Sequence, residues 1–222
     1  MRNIKLTIEY DGTAYAGWQT QKNSKTVQQT IEDALRKLFK ERIKIIGSGR
    51  TDAGVHALGQ VANFSIKHAI STDNLQKALN SNLPKDIVVT SIKETGKNFH
   101  SRFDVKAKVY RYTILNRAYP SALLKDRVYF YPHKLDINLM KKMAKSLLGR
   151  HDFKRFCNSA SITKDTVRTI KRIDIKRTKD GLVYIDIEAD GFLYNMVRRI
   201  VGSLVNGSTA PARGLCLIEV KY

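Results

Sequence analysis

The sequence predicts an α+β fold made of two halves, each with an antiparallel sheet and helices. Apolar and polar residues alternate in several segments, as in residues 3–10, with the two-residue period of a half-buried strand. Other segments repeat apolar residues every three or four positions, which is the period of an amphipathic helix. In the first half these segments follow the order β-α-β-β-α-β, which is the order of a ferredoxin-like unit.

The first half is predicted to span residues 1–105. Its predicted elements are a strand over 3–10, a helix from about Val27 to Glu41, strands over 43–47 and 60–66, a helix from Thr72 that stops before Pro84, and a strand over 87–92. Thr26 followed three residues later by Gln29 resembles a capping box, and it marks the start of the first helix. No Pro-, Gly- or Ser-rich linker marks the boundary near residue 105.

The second half, residues 106–222, partly repeats this order of elements. Its predicted elements are a strand over 108–115, a helix over about 136–148 that Gly149 ends, a hairpin of 167–177 and 182–189, a helix from Phe192 to Val205, and a strand over 215–222. The turn of the hairpin is expected at Lys179, Asp180 and Gly181.

The composition indicates a polyanionic partner. The chain carries 40 Lys and Arg against 20 Asp and Glu, a net charge of +20 at pH 7, which exceeds what solubility requires. The alternative is a general lysine bias in the proteins of the source organism, which would produce the same excess of positive charge. Nucleic acid is favoured over anionic lipid, because no apolar run approaches the roughly 18–20 residues that span a bilayer. The basic excess is larger in residues 106–222 than in residues 1–105.

Cysteine and histidine usage predicts no metal centre and a reducing compartment. Cys157 and Cys216 are too few for a disulfide framework, and no Cys/His spacing matches a zinc site. The N-terminus alternates like a strand and lacks the apolar core of a signal peptide, so the expected location is cytoplasmic. The histidines are expected to be structural or on the surface: His56, His68, His100, His133 and His151.

The run 47–57, GSGRTDAGVHA, contains the first candidates for chemistry. Arg50 and Asp52 lie among glycines between two predicted strands, and loops held by a rigid sheet are favoured places for active residues. The run lacks the Gly-Lys-Ser/Thr pattern of a phosphate loop. A lone Asp suggests a nucleophile or a general base rather than metal-dependent phosphoryl transfer, and a neighbouring Arg would keep it ionised. The alternative is a tight turn with an Arg–Asp pair.

Two further segments contain candidate residues. Tyr110 and Tyr112 share one face of a predicted strand, and a nucleobase stacked on an exposed aromatic ring is stabilised by ~1–3 kcal/mol. The alternative is a core tyrosine. The apolar helix 192–202 carries Arg198 and Arg199, and a buried arginine needs a partner, which an active-site carboxylate would supply. The alternative is that at least one of them extends to solvent.

Together these runs resemble the tRNA pseudouridine synthase A family over nearly the whole chain. The matching runs are 9–19, 49–57, 103–104, 110–112, 192–202 and 210–215. The resemblance implies the pseudouridine synthase fold and an isomerase that converts uridine to pseudouridine in the anticodon stem-loop of tRNA, at positions 38–40. It also implies a homodimer. No cofactor is expected, because the isomerisation involves no net redox change and no group is gained or lost.

The resemblance implies a role for each candidate residue. By position, the nucleophilic aspartate is Asp52, the tyrosine that stacks on the substrate is Tyr110, and the arginine that assists base flipping is Arg50. Arg198 would pair with the catalytic carboxylate, with Arg199 as the second choice. Attack on the sugar, attack on the base and removal of a sugar proton to form a glycal all stay open for Asp52.

One segment departs from the family pattern. Residues 203–209 connect the run 192–202 to the run 210–215 by a shorter path than is usual in the family. This difference concerns the dimer contact, tRNA docking and stability rather than the catalytic runs. From the residues alone, two other functions compete: an RNA-binding protein without catalysis, and an RNA hydrolase or nuclease.

Overall fold

The computed structural model describes residues 1–158 and 165–222. It divides the chain into two compact units, Met1–Lys106 with Leu217–Tyr222, and Ala107–Cys216. The sequence-based division into 1–105 and 106–222 placed the whole last strand in the second half. In the structure the end of that strand belongs to the first unit, because it adjoins a strand of that unit's sheet.

The first unit has the predicted β-α-β-β-α-β order. Its elements are β1 (Arg2–Tyr10), α1 (Val27–Phe39), β2 (Ile46–Gly47), β3 (His56–Ile66), α2 (Thr72–Asn82) and β4 (Ile87–Thr95). β1 lies between β4 and β3 and pairs antiparallel with both. β3 also pairs antiparallel with β2, and it neighbours β10 (Leu215–Lys221), the last strand. The α+β class is confirmed.

The core of the first unit follows from the alternation seen in the sequence. Ile4, Leu6 and Ile8 of β1 are fully buried, as the two-residue period requires. The N-cap of α1 is Thr26, whose side chain accepts a hydrogen bond from the backbone N–H of Gln29. The capping box is only half formed, since the Gln29 amide donates to Asp33 instead.

The second unit is built around a long antiparallel hairpin. Its elements are β5 (Ala107–Leu115), β6 (Tyr129–Phe130), α3 (Ile137–Lys145), β7 (Gly149–Asp152), β8 (Val167–Arg177), β9 (Leu182–Ala189) and α4 (Met196–Val205). The strand order β5-β9-β8-β7 is antiparallel throughout, and the short β6 pairs parallel with β5. The hairpin β8–β9 is confirmed, and Gly181 in its turn has φ +88°.

The helices of the second unit are shorter than predicted. α3 ends at Lys145 rather than near residue 148. Gly149, which has φ +93°, begins β7. α4 begins at Met196 rather than at Phe192, because Asn195 takes a left-handed conformation with φ 62° that interrupts helical geometry. Within the described residues, no helix is long and apolar enough to cross a membrane.

Candidate active site

Asp52 lies in the loop between β2 and β3 of the first unit. Its side chain is half-buried, whereas Arg50 is exposed. The residues between them and around them are not loose, since Ser48 and Thr51 are buried. The predicted catalytic loop is therefore packed against the rest of the first unit.

The side chain of Gln60 supports the start of this loop. Gln60 is fully buried in β3. Its amide oxygen accepts the hydroxyl of Ser48 at 2.7 Å, and its amide nitrogen donates to the carbonyl of Gly49 at 3.0 Å. The backbone N–H of Ser48 donates to the carbonyl of Val61. A buried polar side chain thus satisfies loop groups that would otherwise lose solvent without a partner.

The backbone on both sides of Asp52 is held by hydrogen bonds. The Asp52 carbonyl accepts the N–H of Val55 at 3.1 Å, which closes a turn through Gly54, whose φ is +75°. The carbonyl of Thr51 accepts the N–H of Trp18 at 3.1 Å. The Thr51 hydroxyl lies 2.8 Å from the hydroxyl of Tyr10 at the end of β1. These bonds set the point from which the Asp52 side chain projects.

A second loop, residues 11–19, packs backbone to backbone against the first. Gly17 has φ +92°, and a Cβ there would lie 2.5 Å from the Thr51 carbonyl oxygen. A Cβ on Gly12 would lie 2.0 Å from the carbonyl oxygen of Val55. Such close approach requires glycine. The two loops are therefore complementary in shape, and the second acts as a clamp on the residues around Asp52.

His56 connects the same two loops. It is 8% exposed, and its Nδ1 lies 3.2 Å from the backbone nitrogen of Gly12 and 3.2 Å from a carboxylate oxygen of Asp11. The structure places this histidine in a structural setting, one of the two that the sequence predicted. Its contacts tie the beginning of β3 to the beginning of the clamp.

Arg50 extends along the surface of the first unit towards the clamp. Its Nε donates to the amide oxygen of Gln19 at 3.2 Å. The Gln19 amide nitrogen donates in turn to Gln28 of α1 at 2.8 Å. The arginine to which the resemblance assigns base flipping therefore contacts a short chain of amide side chains.

Tyr110 and Tyr112 lie on one face of β5, as predicted, opposite Ile187 and Ile185 of β9. Tyr112 is fully buried, and its hydroxyl donates to the carbonyl of Pro211 at 2.7 Å. Burial raises its pKa. Tyr112 is thus a core tyrosine.

Tyr110 is also buried, at 7% exposed, so its ring is not the exposed aromatic that the sequence predicted. Its ring contacts Phe192 edge to face, with centroids 5.0 Å apart. This edge-to-face contact fixes the orientation of the Tyr110 ring. Sequence reasoning did not identify Phe192 as its neighbour.

The two arginines of α4 bind backbone carbonyls. Arg198 donates from Nε to the carbonyl of Ala210 at 2.8 Å and from Nη1 to the Asn195 side chain at 3.0 Å. Arg199 donates from Nη1 to the carbonyl of Cys157 at 2.7 Å. Its buried Nε has no hydrogen-bond partner in the part of the chain that the structure describes. Both side chains are half-buried, and neither extends fully into solvent.

Glycine also shapes the end of α4. A Cβ on Gly202 would lie 1.6 Å from the carbonyl oxygen of Ser208. The absence of a side chain lets the segment after the helix fold back against it, which delivers the Ala210 carbonyl to Arg198. The backbone N–H of Ala210 donates to the carbonyl of Arg198, so this contact is made twice.

The candidate residues fall into two sets. The structure places Arg50 and Asp52 together in the first unit, and Tyr110 and Arg198 in the second. Sequence reasoning missed the residues that support the loop. The one signal was Gln60, a polar residue at the start of an apolar strand. Among the residues described, no three His, Cys, Asp or Glu side chains come together in a way that could hold a metal ion.

Comparison with known proteins shows which family this chain is similar to. A family model described as tRNA pseudouridine synthase matches residues 6–104 and 143–207. The tRNA pseudouridine synthase A of Acetivibrio thermocellus is 49% identical, and the tRNA pseudouridine synthase A 2 of Clostridium perfringens is 46% identical. That of a Thermoanaerobacter species is 42% identical. Each alignment covers 100% of this chain and 100% of the relative.

The matched regions contain three of the candidate residues. Arg50 and Asp52 lie in the first matched region and Arg198 in the second, whereas Tyr110 lies between them. The alignments extend over 245 positions, more than the 222 residues of this chain. The relatives therefore contain residues that have no counterpart here. That this difference falls at 203–209 stays a prediction.

Proposed function

Since this chain belongs to the tRNA pseudouridine synthase A family, we propose that it converts uridine to pseudouridine in the anticodon stem-loop of tRNA, at positions 38–40. Family membership makes the chain an isomerase and a tRNA pseudouridine synthase. The finer proposal, the stem-loop and its positions, rests on the resemblance of the sequence runs. The observation that carries it is Asp52 within the run 49–57, on a loop whose backbone is held on both sides.

The proposed reaction needs one well-placed carboxylate. The N-glycosidic bond between C1′ and N1 breaks, the uracil rotates, and a C1′–C5 bond forms while the proton on C5 moves to nitrogen. Atoms and electrons balance without a redox partner, so the proposal includes no cofactor. Asp52 acts as the nucleophile on the sugar or on the base, or takes a sugar proton to give a glycal. Each route requires the carboxylate to be held in contact with the atom on which it acts.

Tyr110 and Arg50 serve base extrusion in this proposal. A uridine in a stem must leave its stack before its glycosidic bond is accessible, which costs a few kcal/mol. Stacking on the Tyr110 ring recovers ~1–3 kcal/mol. Arg50 is exposed and its Nε donates to Gln19. In the proposal its guanidinium enters the space that the base leaves.

Arg198 is proposed to pair with the catalytic carboxylate. Its Nε and Nη1 are held by Ala210 and Asn195, which orients the guanidinium plane. If Arg198 pairs with Asp52, Arg198→Met makes the Asp52 carboxylate take up a proton at higher pH. The acidic limb of the kcat–pH profile then shifts to higher pH. Arg199→Met, at the second choice for this pairing, tests which of the two arginines carries it. Equal pH profiles for wild type and Arg198→Met would contradict the pairing.

The decisive test uses an unmodified tRNA transcript with the wild type and with Asp52→Asn. Pseudouridine is mapped by carbodiimide adducts and primer extension. We expect stops at positions 38–40 with the wild type and none with Asp52→Asn, which should keep its fold and bind tRNA. Stops in both lanes would remove Asp52 from its role. Stops in neither lane would defeat the proposed reaction, and shortened RNA would indicate a nuclease.

The proposed assembly is a homodimer that acts in the cytoplasm, where its tRNA substrate is found. The high net charge of +20 supports an RNA partner because lysine and arginine neutralise phosphates. Gel filtration with light scattering measures the mass in solution. A monomer at micromolar concentration would count against the dimer.

A further inference from the structure

Phe103 is unusual because a large aromatic side chain stands in solvent on an ordered turn. It is 75% exposed and lies between β4 and β5, in the first unit. Scattered exposed apolar residues are common in proteins, so exposure alone carries no meaning here. What distinguishes Phe103 is the way in which its neighbours hold it.

The turn that carries Phe103 is closed by its own hydrogen bonds. The backbone N–H of His100 donates to a carboxylate oxygen of Asp104 at 2.9 Å, and the N–H of Asp104 donates to the carbonyl of His100 at 3.1 Å. The Nδ1 of His100 accepts the N–H of Arg102 and the N–H of Phe103, each at 3.2 Å. The imidazole thus holds the backbone of the turn at two successive residues.

The imidazole of His100 also supports the ring of Phe103. The two rings are stacked, with centroids 4.2 Å apart and planes at 27°. The guanidinium carbon of Arg102 lies 5.8 Å from the centre of the Phe103 ring. The ring of Phe103 therefore has the imidazole of His100 stacked on it and the guanidinium of Arg102 over it, while most of its surface faces solvent.

The turn is fixed to the rest of the first unit through Ser101. Ser101 is fully buried, and its backbone N–H donates to the side chain of Asn63 in β3 at 3.0 Å. Its carbonyl accepts the hydroxyl of Tyr222 at 2.7 Å. Its hydroxyl donates to the carbonyl of Ile46, in the strand that leads directly into the Asp52 loop. The orientation of Phe103 is thus set before any partner binds.

We propose that Phe103, stacked on His100 and flanked by Arg102, is a platform for an unpaired nucleobase of the tRNA substrate. A preformed aromatic face beside a guanidinium matches a base and its adjoining phosphate. Lys97 and Lys106 are exposed nearby in sequence, and the Asp104 carboxylate is engaged by His100. This inference rests on the proposed function, and it adds a contact with the RNA outside the reacting uridine.

Replacements at position 103 separate stacking from simple apolar contact. Phe103→Leu keeps an apolar side chain and removes the ring, whereas Phe103→Trp enlarges the ring. We expect Phe103→Leu to raise the Kd for an unmodified tRNA transcript about 5- to 100-fold, and Phe103→Trp to bind at least as tightly as the wild type. Because Phe103 is exposed, neither change should shift the urea midpoint appreciably.

Salt dependence provides the second readout. A base contact leaves the slope of log Kd against log salt unchanged, so Phe103→Leu should keep the wild-type slope. Arg102→Ala should reduce the slope by about 1, as loss of one phosphate contact does. In Phe103→Trp, a stacked base of the tRNA should quench the fluorescence of the new tryptophan. The native tryptophan, Trp18, is only 2% exposed, so its fluorescence should change little.

The outcomes separate this inference from the proposed function. If the wild type makes pseudouridine and Phe103→Leu binds tRNA within twofold of the wild type, the platform is refuted and the function stands. A loss of affinity in Phe103→Leu that Phe103→Trp does not restore would also refute stacking. If the wild type neither binds nor modifies tRNA, the proposed function itself fails.

Discussion

The hydroxyl of Tyr10 and the hydroxyl of Thr51 are 2.8 Å apart in a buried hydrogen bond. This bond joins the end of β1 to the residue immediately before Asp52. It therefore links the stability of the first unit to the placement of the proposed nucleophile.

Tyr10→Phe is expected to remove this link while keeping the ring. The free energy of unfolding should fall by about 1–3 kcal/mol, because a buried hydroxyl loses a partner. Turnover should fall about 10- to 100-fold through misplacement of Asp52, with little change in the Kd for tRNA. Urea unfolding and single-turnover kinetics measure the two effects. Tyr119→Phe is the control, since that side chain is 79% exposed; wild-type turnover in Tyr10→Phe would contradict the link.

Gly17→Ala is expected to separate the clamp from the Asp52 loop. The residue has φ +92°, and the new methyl group would lie 2.5 Å from the Thr51 carbonyl oxygen. Left-handed strain and the contact with backbone together should cost about 1–3 kcal/mol, and turnover should fall with it. Gly96→Ala is the matched control, because a Cβ there meets no atom within 4 Å. Thermal melting that ranks the two variants equally would disprove this view of the clamp.

Tyr110 and Tyr112 should respond differently to the same replacement. Under the proposed stacking role, Tyr110→Phe keeps the ring and should retain turnover within a few-fold, whereas Tyr110→Ala should lose about 10- to 100-fold. Tyr112→Phe removes the hydrogen bond to Pro211 and should cost about 1–3 kcal/mol of stability. Single-turnover kinetics and urea unfolding distinguish the two. Full activity in Tyr110→Ala would exclude the stacking role.

Tyr112 should also make the protein less stable at alkaline pH. Burial raises its pKa in the folded state, so the unfolded chain loses its proton first, at about pH 10. The stability that the neutral tyrosine contributes is present below that pH and is lost as the pH rises further, by roughly 1.4 kcal/mol per pH unit. Urea midpoints measured from pH 8 to 11 should fall less steeply in Tyr112→Phe than in the wild type. Parallel profiles would show that this tyrosine does not carry the effect.

The order of elements was predictable because it depends on local periodicity. The alternation in β1 and the helical spacing after Thr26 are properties of neighbouring residues, and the structure confirms both. Helix ends were less predictable. Asn195 with its φ of 62° precedes a sequence that is apolar on nearly every face, so the pattern contains no break where the helix begins.

The candidate site was predictable only in part. Asp52 and Arg50 were identified from one run of sequence, together with a resemblance. Their support comes from residues far away in the chain, such as Tyr10 bonded to Thr51 and Gln60 bonded to Ser48. Such pairs depend on strand pairing and register, which local patterns do not specify. For the same reason the contact of Tyr110 with Phe192 was not foreseen.

The end of the last strand, Leu217–Tyr222, belongs to the unit that carries Asp52. During synthesis, the ribosome must therefore add residues 107–216 before the first unit can acquire its final strand and the Tyr222 bond to Ser101. Until then one edge of β3 lacks that neighbour. A chain that is cut before Leu217 would leave the first unit without this strand segment. Completion of the proposed catalytic unit therefore depends on residues that are synthesised after the whole of the second unit.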